Sequence, residues 1–207
     1  MQSSMVDKTR TWWLAVLKDE ARLNAWLVRL YNNEKDAYER FLDFARRFCK
    51  GRQNKEAWYL FHFIAEQERR HAHMVLDLLI SRGIVQRNNS GNSERYWSKV
   101  LPCVQCLQTA AGVGALAEGL SLERMRVIIS CKETPGTIRK MFLEIEPDES
   151  VHARTLADLA KKHGIRKVID CHSEGLIALG LKLAATATNG KPRKGPKSRS
   201  ITTTSSK

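Results

Sequence analysis

The sequence predicts an all-α protein built on a four-helix bundle, and three observations carry that prediction. Helix-forming residues dominate the 207-residue chain, proline is scarce (5), and no run alternates apolar and polar residues as a strand would. Glycines fall at the edges of helical periodicity: Gly51, Gly83, Gly136 and Gly164 follow or separate such stretches. One apolar stripe also occurs twice. Phe61, Ile64, Glu68, His71, Val75 and Leu78 recur as Phe142, Ile145, Glu149, His152, Leu156 and Leu159, always 81 residues later. Asp77 and Asp158, and Gly83-Ile84 and Gly164-Ile165, keep the same offset.

Taken in order, the helical pattern begins near Thr9, with Trp12, Trp13, Val16 and Leu17 as an N-terminal extension packed on the bundle. A dimer contact or a pocket wall is the alternative use of the two tryptophans. The first bundle helix is expected over residues 22–49, with Leu27, Tyr31, Tyr38, Phe41, Ala45 and Phe48 on its buried stripe. Glu34 falls on that stripe, whereas Glu39 has Lys35 and Arg46 as helical neighbours. The second helix is expected over residues 55–82, with Arg82 in its last turn and Gly83 beyond it. Residues 86–93, QRNNSGNS, form the clearest loop and join the two halves as a crossover. The third helix is expected to start between Tyr96 and Val104, with Pro102 suited to a first turn, and to run to Cys131. Its buried stripe, Ala111, Ala115, Leu122, Met125 and Ile129, carries Glu118. Glu123 lies about 140° round the helix and is the reserve choice. The fourth helix follows residues 132–137 and runs to Lys162, with a kink expected at Pro147. A short helix over residues 175–187 and a disordered basic tail complete the chain. The expected organisation is an extension over 1–21, a bundle over 22–166, a helical segment over 167–189 and the tail over 190–207.

The chemistry resides in the repeat. Residues three apart share a helix face, so Glu68 and His71 point together, as do Glu149 and His152. Charged and imidazole groups on an apolar stripe are costly to bury without partners. With Glu34 and Glu118 they make four carboxylates and two imidazoles, which two divalent ions would neutralise. Paired Glu-x-x-His helices with a further Glu from each of two others are the ligand arrangement of carboxylate-bridged two-metal bundles. Carboxylate and imidazole suit iron and manganese, and no thiolate belongs to the set. Tyr31, Tyr38 and Phe142 are expected to wall the site. Gly112, Gly114, Ala115, Ala117 and Gly119 leave room beside it, or allow close helix packing. His62, His73, His163 and His172 have charged neighbours within a turn and receive no role.

The chain carries 35 Lys and Arg against 22 Asp and Glu, a net +13. Six cations lie after Gly190, and without them the body remains at +7, compatible with an anionic partner or with a solvated basic surface. The arginines expected near the site are Arg46, Arg47, Arg69, Arg70, Arg124 and Arg126. The start, MQSSMVDKTR, has no apolar core of a signal peptide, and no apolar run approaches a membrane span. The five cysteines then read as free thiols in the cytoplasm. Cys103 and Cys106 form a lone CxxC without zinc-finger spacing.

The chain resembles the ferritin-like superfamily. Asn33-Glu34-Lys35-Asp36-Ala37-Tyr38 followed by Phe41 is similar to the first-helix ligand motif of rubrerythrins and their relatives. The separation of Glu34 from Glu68 is close to the superfamily's usual ligand spacing. Within it, the chain looks most like the tRNA hydroxylases acting on 2-methylthio-isopentenyladenosine. NNEKDAYERF, AEQERRHAHMVLDLLISRGI and AEGLSLERMRVI carry that likeness, within residues 25–165. The resemblance implies a di-iron oxygenase with Glu34, Glu68, His71, Glu118, Glu149 and His152 as ligands. It implies two iron ions (manganese being the alternative), O2 and an external electron donor as partners, and a tRNA or other anionic substrate. An oligomer is compatible with it. The alternative reading is a rubrerythrin-like peroxide scavenger or a ferritin-like iron-handling protein. Against the first stands the single CxxC where a rubredoxin module needs two. Against a storage cage stand the basic charge and the two extensions. A non-enzymatic helical module is the third reading.

Overall fold

The computed structural model describes residues 5–51, 54–84, 94–161 and 166–181, and among these it is all-helical. Seven α-helices follow in order: α1 Met5–Leu17, α2 Glu20–Phe48, α3 Lys55–Ser81, α4 Glu94–Val100, α5 Leu107–Ser130, α6 Gly136–Lys161 and α7 Arg166–Ala178. A single 3-10 turn, Leu101–Cys103, separates α4 from α5. Local chemistry sets several boundaries. The Asp19 carboxylate accepts the Arg22 backbone N–H and caps α2. The Thr109 hydroxyl accepts the Gln105 and Cys106 N–H groups at the start of α5. At the end of α3, Gly83 takes φ 67°, and the Ile84 and Gly83 N–H groups bond the Leu79 and Ile80 carbonyls. That is a Schellman closure, and the left-handed residue it needs is glycine.

α2 packs along α3 and α5 along α6, while α3 meets α6 and α2 meets α5. The four long helices bury two apolar clusters. One joins Phe41, Phe44 and Ala45 of α2 to Phe61 and Ile64 of α3, Ala110 and Val113 of α5, and Leu156 of α6. The other joins Leu23 and Leu27 of α2 to Val75 and Leu79 of α3, Met125 and Ile128 of α5, and Ile138 and Ile145 of α6. Each helix therefore gives one half to each cluster, which makes α2 antiparallel to α3 and to α5, and α6 antiparallel to α3 and α5. Ile84 packs on the second cluster, whereas Tyr96 and Val100 of α4 lie in the first. Ile84 and α4 therefore lie at opposite ends of the bundle.

The N-terminal extension is a true helix. Trp13 is fully buried, its ring meets Trp26 edge-on at 4.7 Å, and its indole N–H donates to the Thr134 hydroxyl at 2.7 Å. Several boundaries differ from the sequence reading. α2 starts at Glu20, two residues earlier, because Asp19 caps it. Pro102 opens the 3-10 turn instead of the third long helix, which begins only at Leu107. α7 begins at Arg166, nine residues before the expected helix, and ends at Ala178 ahead of Gly180 (φ 73°); residues 182–187 of that expected helix lie outside the described residues. α6 remains helical through Pro147. Pro147 has no N–H to give the Leu143 carbonyl, and both residues are exposed. The loop over 86–93, His163, Gly164-Ile165 and the tail lie outside the described residues. Among the described residues all five cysteines are free, and no helix is long and apolar enough to cross a membrane.

α7 docks where α5 has no side chain. A Cβ added to Gly112 would meet Val168 Cγ2 at 2.6 Å, and Val168 is buried. Gly112→Ala gains up to about 1 kcal/mol of helix propensity but overpacks the contact at a cost of about 1–3 kcal/mol. A net loss of stability on urea unfolding is expected, and a gain would contradict this packing.

Candidate metal centre

The layer between the two apolar clusters is acidic. Glu68, Glu118 and Glu149 are buried, and the Glu34 side chain is 13 % exposed. His71 and His152 are fully buried. One ligand atom from each of Glu34, Glu68, His71 and Glu149 lies within 4.8 Å of the others, and the same holds for Glu68, Glu118, Glu149 and His152. The structure thus brings together all six residues singled out in the sequence. The two sets share Glu68 and Glu149, so these two carboxylates could serve two cations at once.

Hydrogen bonds within the cluster do not account for it. Glu68 Oε1, His71 Nδ1, Glu149 Oε2 and His152 Nδ1 are buried without a hydrogen-bond partner. Such groups are rare in folded proteins because each costs about 1–3 kcal/mol. The inward atoms stand at 3.1 Å for His152 Nδ1 and Glu68 Oε1, and 3.4 Å for His71 Nδ1 and Glu149 Oε1. Ligands about 2.1 Å from a shared ion lie about 3 Å apart at right angles. The donor set and its orphaned atoms therefore fit a pair of divalent ions.

The outer imidazole nitrogens fix this orientation. His71 Nε2 lies 3.0 Å from Asp148 Oδ2, and His152 Nε2 lies 2.9 Å from Gln67 Oε1. With each Nε2–H donating outwards, each Nδ1 lone pair is directed at the cluster. Asp148 also accepts from the Arg70 guanidinium. Gln67 and Asp148 immediately precede Glu68 and Glu149, so they obey the same 81-residue offset. Sequence reasoning missed both, although the repeat contained the signal.

Without metal, the electrostatics of the layer are unfavourable. Burial, then the neighbouring carboxylates, hold the Glu34 and Glu118 carboxyls well above the ordinary range. Burial works against protonated His71, but the surrounding carboxylates overcome it and raise it to about 11. Burial likewise opposes ionised Glu68, and the two imidazoles overcome it and hold Glu68 low.

A cavity of about 540 Å³ reaches the layer at Glu34, Glu68, Glu118 and Glu149. Trp12, Trp26, Tyr96, Trp97 and Phe142 supply its aromatic wall, and Arg29, Arg40, Arg95 and Arg124 its charge. Phe142 is where the sequence put it, but Tyr31 and Tyr38 are not: they line a separate hollow with Lys35, Glu39 and Arg69. The buried stripe of α2 is broad, and these tyrosines sit at its edge. Glu39 and Glu123 are exposed and belong to neither ligand set. Of the expected arginines only Arg124 reaches this cavity. Arg46 and Arg47 pair with Asp43, Arg69 with Glu66, Arg70 with Asp148 and Arg126 with Glu146. His172, read as surface, is half-buried, with Nδ1 2.6 Å from the Tyr96 hydroxyl.

Comparison of the chain with protein-family models, with curated proteins and with solved structures finds no match. The assignment of the centre therefore rests on its geometry.

Two outcomes are expected. Glu34→Ala should remove the ion shared with His71, and Glu118→Ala the ion shared with His152, each lowering bound metal from two ions per chain to one. Glu39→Ala and Glu123→Ala should keep both, and elemental analysis of the purified variants decides. The second outcome concerns pH. The raised Glu34, Glu118 and His71 values contribute stability to the metal-free chain that is full below their unfolded values and lost as pH rises through their folded ones. The lowered Glu68 value acts only in acid, below this window. Metal-free protein should therefore lose melting temperature as pH rises above about 5, with the His71 contribution still being lost as pH approaches about 11. Metal affinity should rise over the same range, because the ligands must shed protons to bind. Thermal unfolding with and without chelator checks both.

Proposed function

We propose that the chain is a ferritin-like four-helix-bundle protein holding two iron ions, and that it hydroxylates an organic substrate in the adjoining cavity, with a modified tRNA base as the substrate class. The observation that carries this reading is the pair of ligand sets sharing Glu68 and Glu149 and opening onto a cavity beside Glu34 and Glu118. Two iron ions, reduced by an external electron donor, supply O2 activation there.

The protein's own residues have simpler tasks. Glu68, Glu149, Glu34 with His71 and Glu118 with His152 would hold the two ions, and Asp148 and Gln67 hold the imidazoles in register. The two apolar clusters exclude water from both ends of the layer. The aromatic wall from Trp26 to Phe142 offers flat apolar surface to the organic part of a substrate. The arginines at the same cavity, together with the net positive charge, favour an anionic substrate over a neutral one.

The test is turnover. Iron-loaded protein given a reductant, O2 and tRNA carrying an isopentenyl-modified adenosine should add one oxygen atom to the modified base, read by mass spectrometry of the nucleosides. Rapid peroxide consumption with no oxygen added to any RNA would contradict the hydroxylase reading and favour a peroxide scavenger on the same centre.

A further inference from the structure

The internal duplication extends beyond the metal layer. Glu34 and Arg40 lie six residues apart on α2, and Glu118 and Arg124 six apart on α5, so both pairs are related by an offset of 84 residues. Trp12 on α1 and Trp97 on α4 are separated by 85. The contacts between these residues cross from one half of the chain to the other. The Arg40 guanidinium lies over the Trp97 ring with Cζ 3.9 Å from its centroid, and Arg124 lies over Trp12 at 5.0 Å. All four side chains line the cavity that contains Glu34 and Glu118. Six helical residues advance about 9 Å. Because α2 and α5 are antiparallel, Arg40 and Arg124 leave the acidic layer in opposite directions and stand on either side of it.

These two arginines differ from the surface ones. Arg46, Arg47, Arg69, Arg70 and Arg126 all form ion pairs with acids, whereas Arg40 and Arg124 lie over indoles, with Asp36 one helical turn from Arg40. Burial lowers Arg40 to about 10, in spite of the nearby acidic layer, and lowers Arg124 as well. Each guanidinium lies over an indole, and a guanidinium held on an aromatic face presents its N–H donors at the edge of its plane. The arginines could serve as counter-charge to the four carboxylates. Two divalent ions would balance those carboxylates, however, and Asp36 answers Arg40 only in part, so both guanidiniums keep donors for a further anion.

We propose that Arg40 and Arg124, each laid on a tryptophan from the opposite half of the chain, determine specificity by binding two oxyanions of one substrate, one on each side of the group presented to the acidic layer. This deepens the hydroxylase reading and rests on it for what is oxidised; the two arginines belong to neither ligand set. The fork of N–H donors matches phosphate and carboxylate alike. The layout selects a substrate with two such groups flanking a flat apolar centre.

Binding measurements on the full chain, metal-loaded and chelator-treated, test this. The probes are adenosine 3′,5′-bisphosphate, adenosine 5′-monophosphate, adenosine and the dicarboxylate glutarate. Each phosphate should tighten binding about tenfold, as a charge-assisted pair does. Arg40→Gln and Arg124→Gln should each cost about that tenfold for the bisphosphate and leave metal content unchanged. The double variant should bind it no better than adenosine. Arg40→Lys should restore part of the loss. Glutarate binding more tightly than the bisphosphate, with the same dependence on both arginines, would assign the oxyanions to carboxylates and still support two sites. The proposal is overturned if wild-type protein binds the bisphosphate no more tightly than adenosine, a comparison that needs no variant to fold. It is also overturned if folded glutamine variants bind the bisphosphate as wild type does. A chain that binds no metal but keeps the phosphate preference would sink the hydroxylase reading alone. A chain that binds two ions without that preference would sink this proposal alone.

Discussion

Four carboxylates buried between two apolar clusters are the constraint on which the rest of the structure depends. In a low-dielectric interior, like charges at these distances repel strongly, and each unpaired carboxylate also loses its hydration. Protons relieve part of this in the metal-free chain, as the raised Glu34 and Glu118 carboxyls indicate. They do not satisfy the geometry, because Glu68, Glu149 and both imidazoles still direct unpartnered atoms at the centre. A pair of divalent cations meets both demands at once. The apolar clusters fix the four helices on either side of the layer, so the ligands are held in place before anything binds.

The duplicated halves explain how one chain makes a nearly symmetric site. α3 and α6 each contribute Glu and His, α2 and α5 each contribute one further Glu, and each imidazole is oriented by the residue before the opposite helix's glutamate. The symmetry is imperfect in one place. Asp148 supports His71 with a carboxylate, while Gln67 supports His152 with a neutral amide. A carboxylate partner makes an imidazole a stronger ligand, so two ions held there would not occupy equivalent positions.

The six clustered residues were legible in the sequence because they obey helical spacing. Glu68 and His71 share a face, the repeat doubles that signal, and Glu34 and Glu118 fall on apolar stripes where Glu39 and Glu123 do not. The outer partners were harder to read, since Asp148 and Gln67 occupy positions that look like solvated faces until the opposing helix is placed beside them. The arginines of the cavity illustrate the same limit. Arg46 and Arg69 were as conspicuous as Arg40, and only the packing reveals which are paired with acids and which stack on tryptophans contributed from far along the chain. The start of α5 was misread because a 3-10 turn around Pro102 and a true helical start satisfy proline equally well.

The central claim is that two metal ions share Glu68 and Glu149. Anomalous diffraction at the iron absorption edge, from crystals of iron-loaded protein, tests it most directly. The account predicts two peaks about 3.5–4 Å apart, both between those two carboxylates, one beside His71 and one beside His152. A single peak, or iron bound only outside the acidic layer, would contradict it.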